Sequence, residues 1–219
     1  MAGAKQVKEI LQDFPDRCDA WISEGSHQAP PQEAPGALSW YQLSPKLFQE
    51  LDVNGTQSPL LLVTTPRVGK WERYDCFPEG CTLLVPFQDP ENVGAVIRSA
   101  VAFGVKTIVL LAESAHPYHP KAIRASGGAV LYANLYQGPS IADLPPDLPI
   151  VALSGEGRDI AECAFPDAFG LLPGVEGTGL PEHLRANSVA IPVSDAVESL
   201  NAATAAGIAL YLWSRSGRK

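Results

Sequence analysis

The chain has 219 residues, 46% of them hydrophobic and 18% charged, with 19 glycines and 20 prolines. That is the composition of a loop-rich globular protein of one or two domains, which excludes both a large multidomain assembly and a mostly disordered chain. A formal net charge of −8 excludes a general polycation for nucleic acid or anionic lipid, so any RNA contact must come from a local patch.

Residues 4–14 place Val7, Ile10, Leu11 and Phe14 at helical spacing before Pro15, which predicts a short amphipathic helix. Ala20, Trp21 and Ile22 form a strand-sized apolar run, and residues 23–37 are a Pro- and Gly-rich loop. Ser44 and Pro45 then open a second helical pattern through Leu47, Phe48 and Leu51, followed by an apolar run over 59–65. These elements predict a small α/β module. Residues 68–80 have no sustained period and read as a linker, so the expected domains are 1–78 and 79–219.

From Cys81 onward the pattern becomes regular. Strands are expected over 82–87 and from residues 107, 130, 150, 169 and 189, with a helix over 92–103 and an Ala- and Leu-rich helix over 199–213. Continuous apolar runs suit strands covered on both faces, and their alternation with helices predicts a mostly parallel sheet with helices on both faces. No internal repeat is visible.

Cys18, Cys76, Cys81 and Cys163 include no C-x-x-C pair, and the four histidines lack metal-ligand spacing. Neither a metal site nor a disulfide scaffold is expected. No signal-like run opens the chain and no stretch is long and apolar enough for a membrane span, which predicts a cytoplasmic protein.

Three segments could carry chemistry. In the first, Asp89 and Pro90 are a helix cap and first position, and Arg98 interrupts the apolar sequence AVI-R-SAVAF. A guanidinium buried there would need an anion or several acceptors, whereas on an exposed face it would need neither. The second segment sets Gly174, Gly177 and Gly179 around Glu176. Its order, G-x-x-G-x-G, matches neither a dinucleotide nor a P-loop fingerprint and is also compatible with a tight turn. In the third, Ser199 and Asn201 open the last helix, where capping alone would explain them. Ala202, Ala206 and Gly207 make one face of that helix thin, suited to a dimer interface or to ordinary core packing.

Together and in this order the segments resemble the three motifs of the SPOUT superfamily, and more narrowly its SpoU/TrmH family of RNA ribose 2′-O-methyltransferases. The matches are N-x-G-x-x-x-R at 92–98, G-x-E-G-x-G-L at 174–180, and I-P followed by S-L-N within 191–201; residues 123–130, IRASGGAV, resemble the family segment between the first two motifs. The resemblance covers 81–215, while residues 1–67 resemble a shortened ribosomal-protein-like substrate-binding domain. It implies a carboxy-terminal trefoil knot, S-adenosyl-L-methionine as cofactor, rRNA or tRNA as substrate, and a homodimer whose protomers share the active site. By position it makes Gly174, Ile191 and Leu200 cofactor-contacting residues, with Ser154 a further candidate on a preceding loop. It assigns Arg98, Asn92, Glu176, Ser199 and Asn201 to the catalytic set. Because a guanidinium is a poor base at neutral pH, Arg98 is expected to clamp a phosphate and orient the ribose hydroxyl.

Two other classes compete. A noncatalytic RNA- or protein-binding module could keep the same fold, and a nucleotide enzyme on a conventional Rossmann sheet would share the strand–helix alternation. The latter lacks G-x-G-x-x-G after its first strand.

Overall fold

Helix α1 (Ala4–Asp13) buries Val7, Ile10 and Leu11, the positions whose spacing predicts it, and ends before Pro15. The computed structural model describes residues 1–25, 28–32, 34–72, 76–175, 179–185 and 188–216. It divides the chain into two units, residues 1–66 and 67–219.

In the first unit, β1 (Cys18–Glu24) runs parallel to β2 (Ser39–Leu43) and antiparallel to β3 (Leu60–Val63), giving the order β2-β1-β3. Helix α2 (Pro45–Leu51) buries Phe48 and leaves Leu47 and Leu51 exposed. Strand β2 has no counterpart among the predicted elements. It is an edge strand held by backbone pairing to β1, and four of its five side chains are exposed, so it carries no burial pattern.

The second unit begins with β4 (Gly69–Lys70), which pairs with β7 (Asn134–Gln137). Part of the stretch read as a linker is therefore an edge strand of the larger sheet. The other strands are β5 (Gly80–Val85), β6 (Thr107–Leu110), β8 (Ile150–Asp159), β9 (Ala168–Leu172) and β10 (Val189–Ala190). Their order is β10-β8-β9-β5-β6-β7-β4, and every neighbouring pair is parallel. The run from residue 130 differs from expectation. It starts as a 3₁₀ turn, Ala129–Leu131, set by the left-handed Gly127 and Gly128, and turns into strand only at Asn134.

Helices α3 (Pro90–Ala102), α4 (Pro120–Ser126) and α6 (Ala202–Ser216) form one layer with α3 in the middle. A Cβ at Gly94 would collide with the Ala122 carbonyl, so glycine lets α3 and α4 touch backbone to backbone. A Cβ at Gly207 would lie 3.5 Å from Ser99 Oγ, and Ala206 and Ala209 are fully buried. The thin face of the last helix is thus used inside the chain, which is the core-packing alternative. The opposite sheet face, with Leu84, Val109, Ala152 and Leu172, is covered by Trp71, Phe77, Leu144 and Leu148 on irregular segments and by the short α5 (Glu182–Arg185). Helical cover is therefore uneven among the described residues. None of the described helices is long and apolar enough to cross a membrane.

Candidate functional site

The chain order of the sheet reverses between β5 and β9. From β5 it steps outward through β6 to β7, crosses to β8, returns to β9 and ends beyond β8 at β10. In open parallel sheets the loops leaving the carboxyl ends of strands at such a reversal diverge and leave a crevice. The loop after β9 carries Gly174, and the loop after β5 leads to Asp89, whose carboxylate accepts a 3.0 Å hydrogen bond from the Glu91 amide and caps α3.

Strand β8 widens the crevice by changing partners. Ile150, Val151 and Ala152 pair with β9, whereas Arg158 and Asp159 pair with β10. Between these two pairings lie Leu153, Ser154 and Gly155, which line a cavity of about 790 Å³. Ser154 consequently sits within a strand rather than on a preceding loop, and its hydroxyl accepts a 3.3 Å hydrogen bond from the Glu156 amide. The rest of the wall comes from Gly174 and Val175, from Gly179 and Leu180, from Val189 to Val193, and from Glu198 to Ala202 with Ala205.

All four residues nominated for cofactor contact, Ser154, Gly174, Ile191 and Leu200, line this one cavity. A Cβ at Gly174 would lie 3.3 Å from the Leu153 carbonyl oxygen, so a larger residue would press against β8. Ser199 and Asn201 of the nominated catalytic set also line it. Asn201 is the N-cap of α6, its Oδ1 accepting from the Ala203 and Thr204 amides at 3.0 and 3.1 Å. That cap moves the start of the helix from the expected residue 199 to 202. Its Nδ2 donates to Asn92 Oδ1 at 3.0 Å, tying the first and third motifs together across 109 positions of sequence. Ser199 is exposed and takes no part in the cap. Glu176 lies outside the described residues.

Arg98 behaves differently. Its guanidinium is exposed, not buried, and lies 3.6 Å from where a Cβ on Gly127 would sit. It does not line the cavity. The reason is helical phase: Val93, Val96, Ile97 and Ala100 take the buried face of α3, and Arg98 falls on the flank toward α4. Lys121 on the same flank pairs with Glu91 at 3.7 Å. The sequence alone did not single out Glu198, which also borders the cavity. Its place directly before S-L-N was the available signal. No group of three or more His, Cys, Asp or Glu placed to hold a metal occurs among the described residues.

A parallel α/β sheet whose motif loops converge on one cavity at a reversal of strand order defines a class of ligand-binding α/β domain. Within that class the chain belongs to the SpoU rRNA Methylase family, whose profile matches residues 81–211. It is 61% identical over 217 residues to "Ribosomal RNA small subunit methyltransferase G 2" of Syntrophobacter fumaroxidans, covering 99% of this chain and 44% of that protein. It is 31% identical over 136 residues to the 23S rRNA (uridine(2479)-2′-O)-methyltransferase of Streptomyces viridochromogenes, covering 56% of this chain and 47% of that one. The chain thus spans less than half the length of either relative. Among solved structures it resembles the SpoU methyltransferase AviRb from Streptomyces viridochromogenes in complex with AdoMet. The TM-score is 0.76 at 23% identity, over 98% of this chain and 88% of that one.

Proposed function

We propose that the protein is an S-adenosyl-L-methionine-dependent methyltransferase that modifies a ribose 2′-hydroxyl of rRNA or tRNA, acting in the cytoplasm as a homodimer. The observation that carries this proposal is the convergence of Ser154, Gly174, Ile191 and Leu200 on one cavity, with Asn201 at its rim hydrogen-bonded to Asn92. The cavity fits the cofactor: its volume is in the range of small-molecule sites, and its wall mixes apolar side chains such as Ile191 and Leu200 with the polar Ser154, Glu198, Ser199 and Asn201, as an amino-acid-bearing nucleoside requires. Glycine at 174 leaves the main chain open to a ligand.

S-adenosyl-L-methionine supplies an electrophilic methyl group. The protein's own task is to hold the acceptor hydroxyl in line and to let its proton leave. Ile191 and Leu200 would pack around the purine while nearby main-chain groups read its edge, and Gly174 would admit the ligand close to β9. Asn92 and Asn201 would fix α3 relative to α6 by their hydrogen bond. A guanidinium is a strong anion-binding fork and a poor base, so Arg98 serves as a clamp on the phosphate beside the target ribose, the proton leaving through phosphate or water. Glu176 and Ser199 would complete the polar frame.

Because Arg98 is not part of the cavity wall of its own protomer, a partner subunit that brings its Arg98 to that cavity is the arrangement we favour. The thin face of α6 is occupied by α3, so the interface must use other surfaces. A trefoil knot is also part of the proposal, and the passage of the chain from β9 to the far side of β8 supports it. Calorimetry with S-adenosyl-L-methionine tests the cavity, and absence of binding would defeat the proposal. Mapping ribose methylation in total RNA from cells lacking the protein tests the reaction and identifies its target; an unchanged map would leave only a binding function.

A further inference from the structure

Among the described residues lining the cavity, Glu198 alone carries an ionisable side chain. Around it the wall is apolar at Leu153, Val189, Ile191 and Leu200, and polar but neutral at Ser199 and Asn201. Glu198 itself is exposed, and its side chain forms no ion pair or hydrogen bond with a described residue. Among the described lining residues the cavity border therefore bears a single carboxylate, and no described cation forms an ion pair with it. Such a charge acts on whatever ligand enters, alongside the Arg185 guanidinium, whose Nε donates to the carbonyl of the wall residue Leu180 at 2.7 Å.

We propose that Glu198 is a charge-selecting residue that makes the cavity prefer the cationic methyl donor to the product left after transfer. The proposal rests on the cavity binding S-adenosyl-L-methionine. That molecule carries a sulfonium and an ammonium against one carboxylate, hence one net positive charge. Methyl transfer forms a bond between the methyl carbon and the ribose 2′-oxygen and breaks the carbon–sulfur bond. The sulfur keeps the electron pair and the hydroxyl proton passes to water. S-adenosyl-L-homocysteine is therefore neutral overall, and the attraction exerted by Glu198 falls as the reaction completes. The residue thereby favours loading of fresh donor and release of spent product. It touches no reacting atom in this account and acts through the field at the cavity border.

The magnitude is bounded by exposure. A solvent-accessible charge pair changes affinity by roughly two- to fivefold, and salt reduces it further. The test is calorimetric titration of wild type and Glu198→Gln with each of the two ligands, at low and at high salt. The expected result is a donor Kd raised by roughly two- to fivefold and a product Kd left unchanged, with the difference shrinking at high salt. Glu198→Asp should keep most of the wild-type preference. If Glu198→Gln leaves both Kd values unchanged, or raises both equally, the proposal is overturned while the cavity's identity as the donor site stands. If wild type binds neither ligand, the reading of the cavity falls and takes this one with it. Thermal melts of the variants exclude a folding defect as the cause of a lost preference.

Discussion

Asn201 shows how one side chain can close a helix and join it to another. Its oxygen closes the amino terminus of α6 through two backbone amides, and its nitrogen reaches Asn92 on α3. Asn201→Ala removes both, so it should destabilise the protein by about 1 kcal/mol, the usual cost of a lost cap. Asn92→Ala leaves the cap intact and should cost less in denaturant melts, and equal losses would show that the cap contributes little. Arg98 poses the opposite case, a charged side chain with no stabilising partner among the described residues. An exposed guanidinium resting on a glycine is available to an incoming phosphate. Arg98→Ala should therefore leave stability and S-adenosyl-L-methionine affinity nearly unchanged while lowering methyl transfer by at least about a hundredfold, the scale of a lost positioning contact. Arg98→Lys should recover only part of the rate, because an ammonium cannot make the paired contacts of a planar guanidinium. Full turnover by Arg98→Ala, measured with methyl-labelled donor, would remove Arg98 from the mechanism.

Elements were legible wherever burial leaves a local period. The spacing of Val7, Ile10 and Leu11 defines α1, and the unbroken apolar runs at β5, β6 and β9 mark strands buried on both sides. Three features had no such signal. Strand β2 is exposed, β4 is two residues long, and β8 continues through the polar sequence from Ser154 to Asp159 because a second partner, β10, takes over its pairing. The cavity depends on that exchange, so its position could not be read from the strand pattern. The resemblance nominated candidate residues, of which Ser154, Gly174, Ile191, Ser199, Leu200 and Asn201 line one cavity, but the distant contact between Asn92 and Asn201 exists only in three dimensions. The depth of the central strands has a measurable consequence at Cys81 on β5. Burial pushes its thiol up to about 12, opposed in part by a hydrogen bond with the Leu171 backbone. A raised folded value means that the fold favours the neutral thiol. This contribution is complete below the unfolded value of 9.0 and is lost as pH climbs from there toward about 12. The stability difference between wild type and Cys81→Ala should accordingly narrow between pH 9 and about 11 in urea melts. Exposed Cys76 should react with a thiol reagent at pH 8 while Cys81 stays protected. Labelling of Cys81 at the rate of Cys76 would contradict this account of β5.

At the scale of the whole molecule, the proposed RNA substrate would be a polyanion, which an acidic protein with a net charge of −8 can recognise only through few contacts. Arg98 and Lys121 lie along the exposed seam of α3 and α4, while the cavity opens beside the amino terminus of α6 on the other flank of α3. This separation makes a shared active site testable whatever the geometry of the dimer. One variant, Arg98→Ala, removes the proposed clamp and should be inactive while leaving the cavity intact. A second, Gly174→Val, fills the cavity beside Leu153 and leaves the clamp intact; calorimetry should show that it no longer binds donor. If each site joins the cavity of one protomer to Arg98 of the other, a mixed dimer contains one site with both defects and one with neither. If each protomer is self-sufficient, both sites of the mixed dimer carry one defect. Equal mixing yields about half mixed dimers, so the shared arrangement predicts recovery of about a quarter of wild-type activity from two inactive parents. The self-sufficient arrangement predicts none. Co-expression of the two variants with different affinity tags, followed by a methyl-transfer assay on the doubly tagged dimer, separates these outcomes. In that purified dimer the shared arrangement should give about half of the wild-type rate, because one of its two sites is intact.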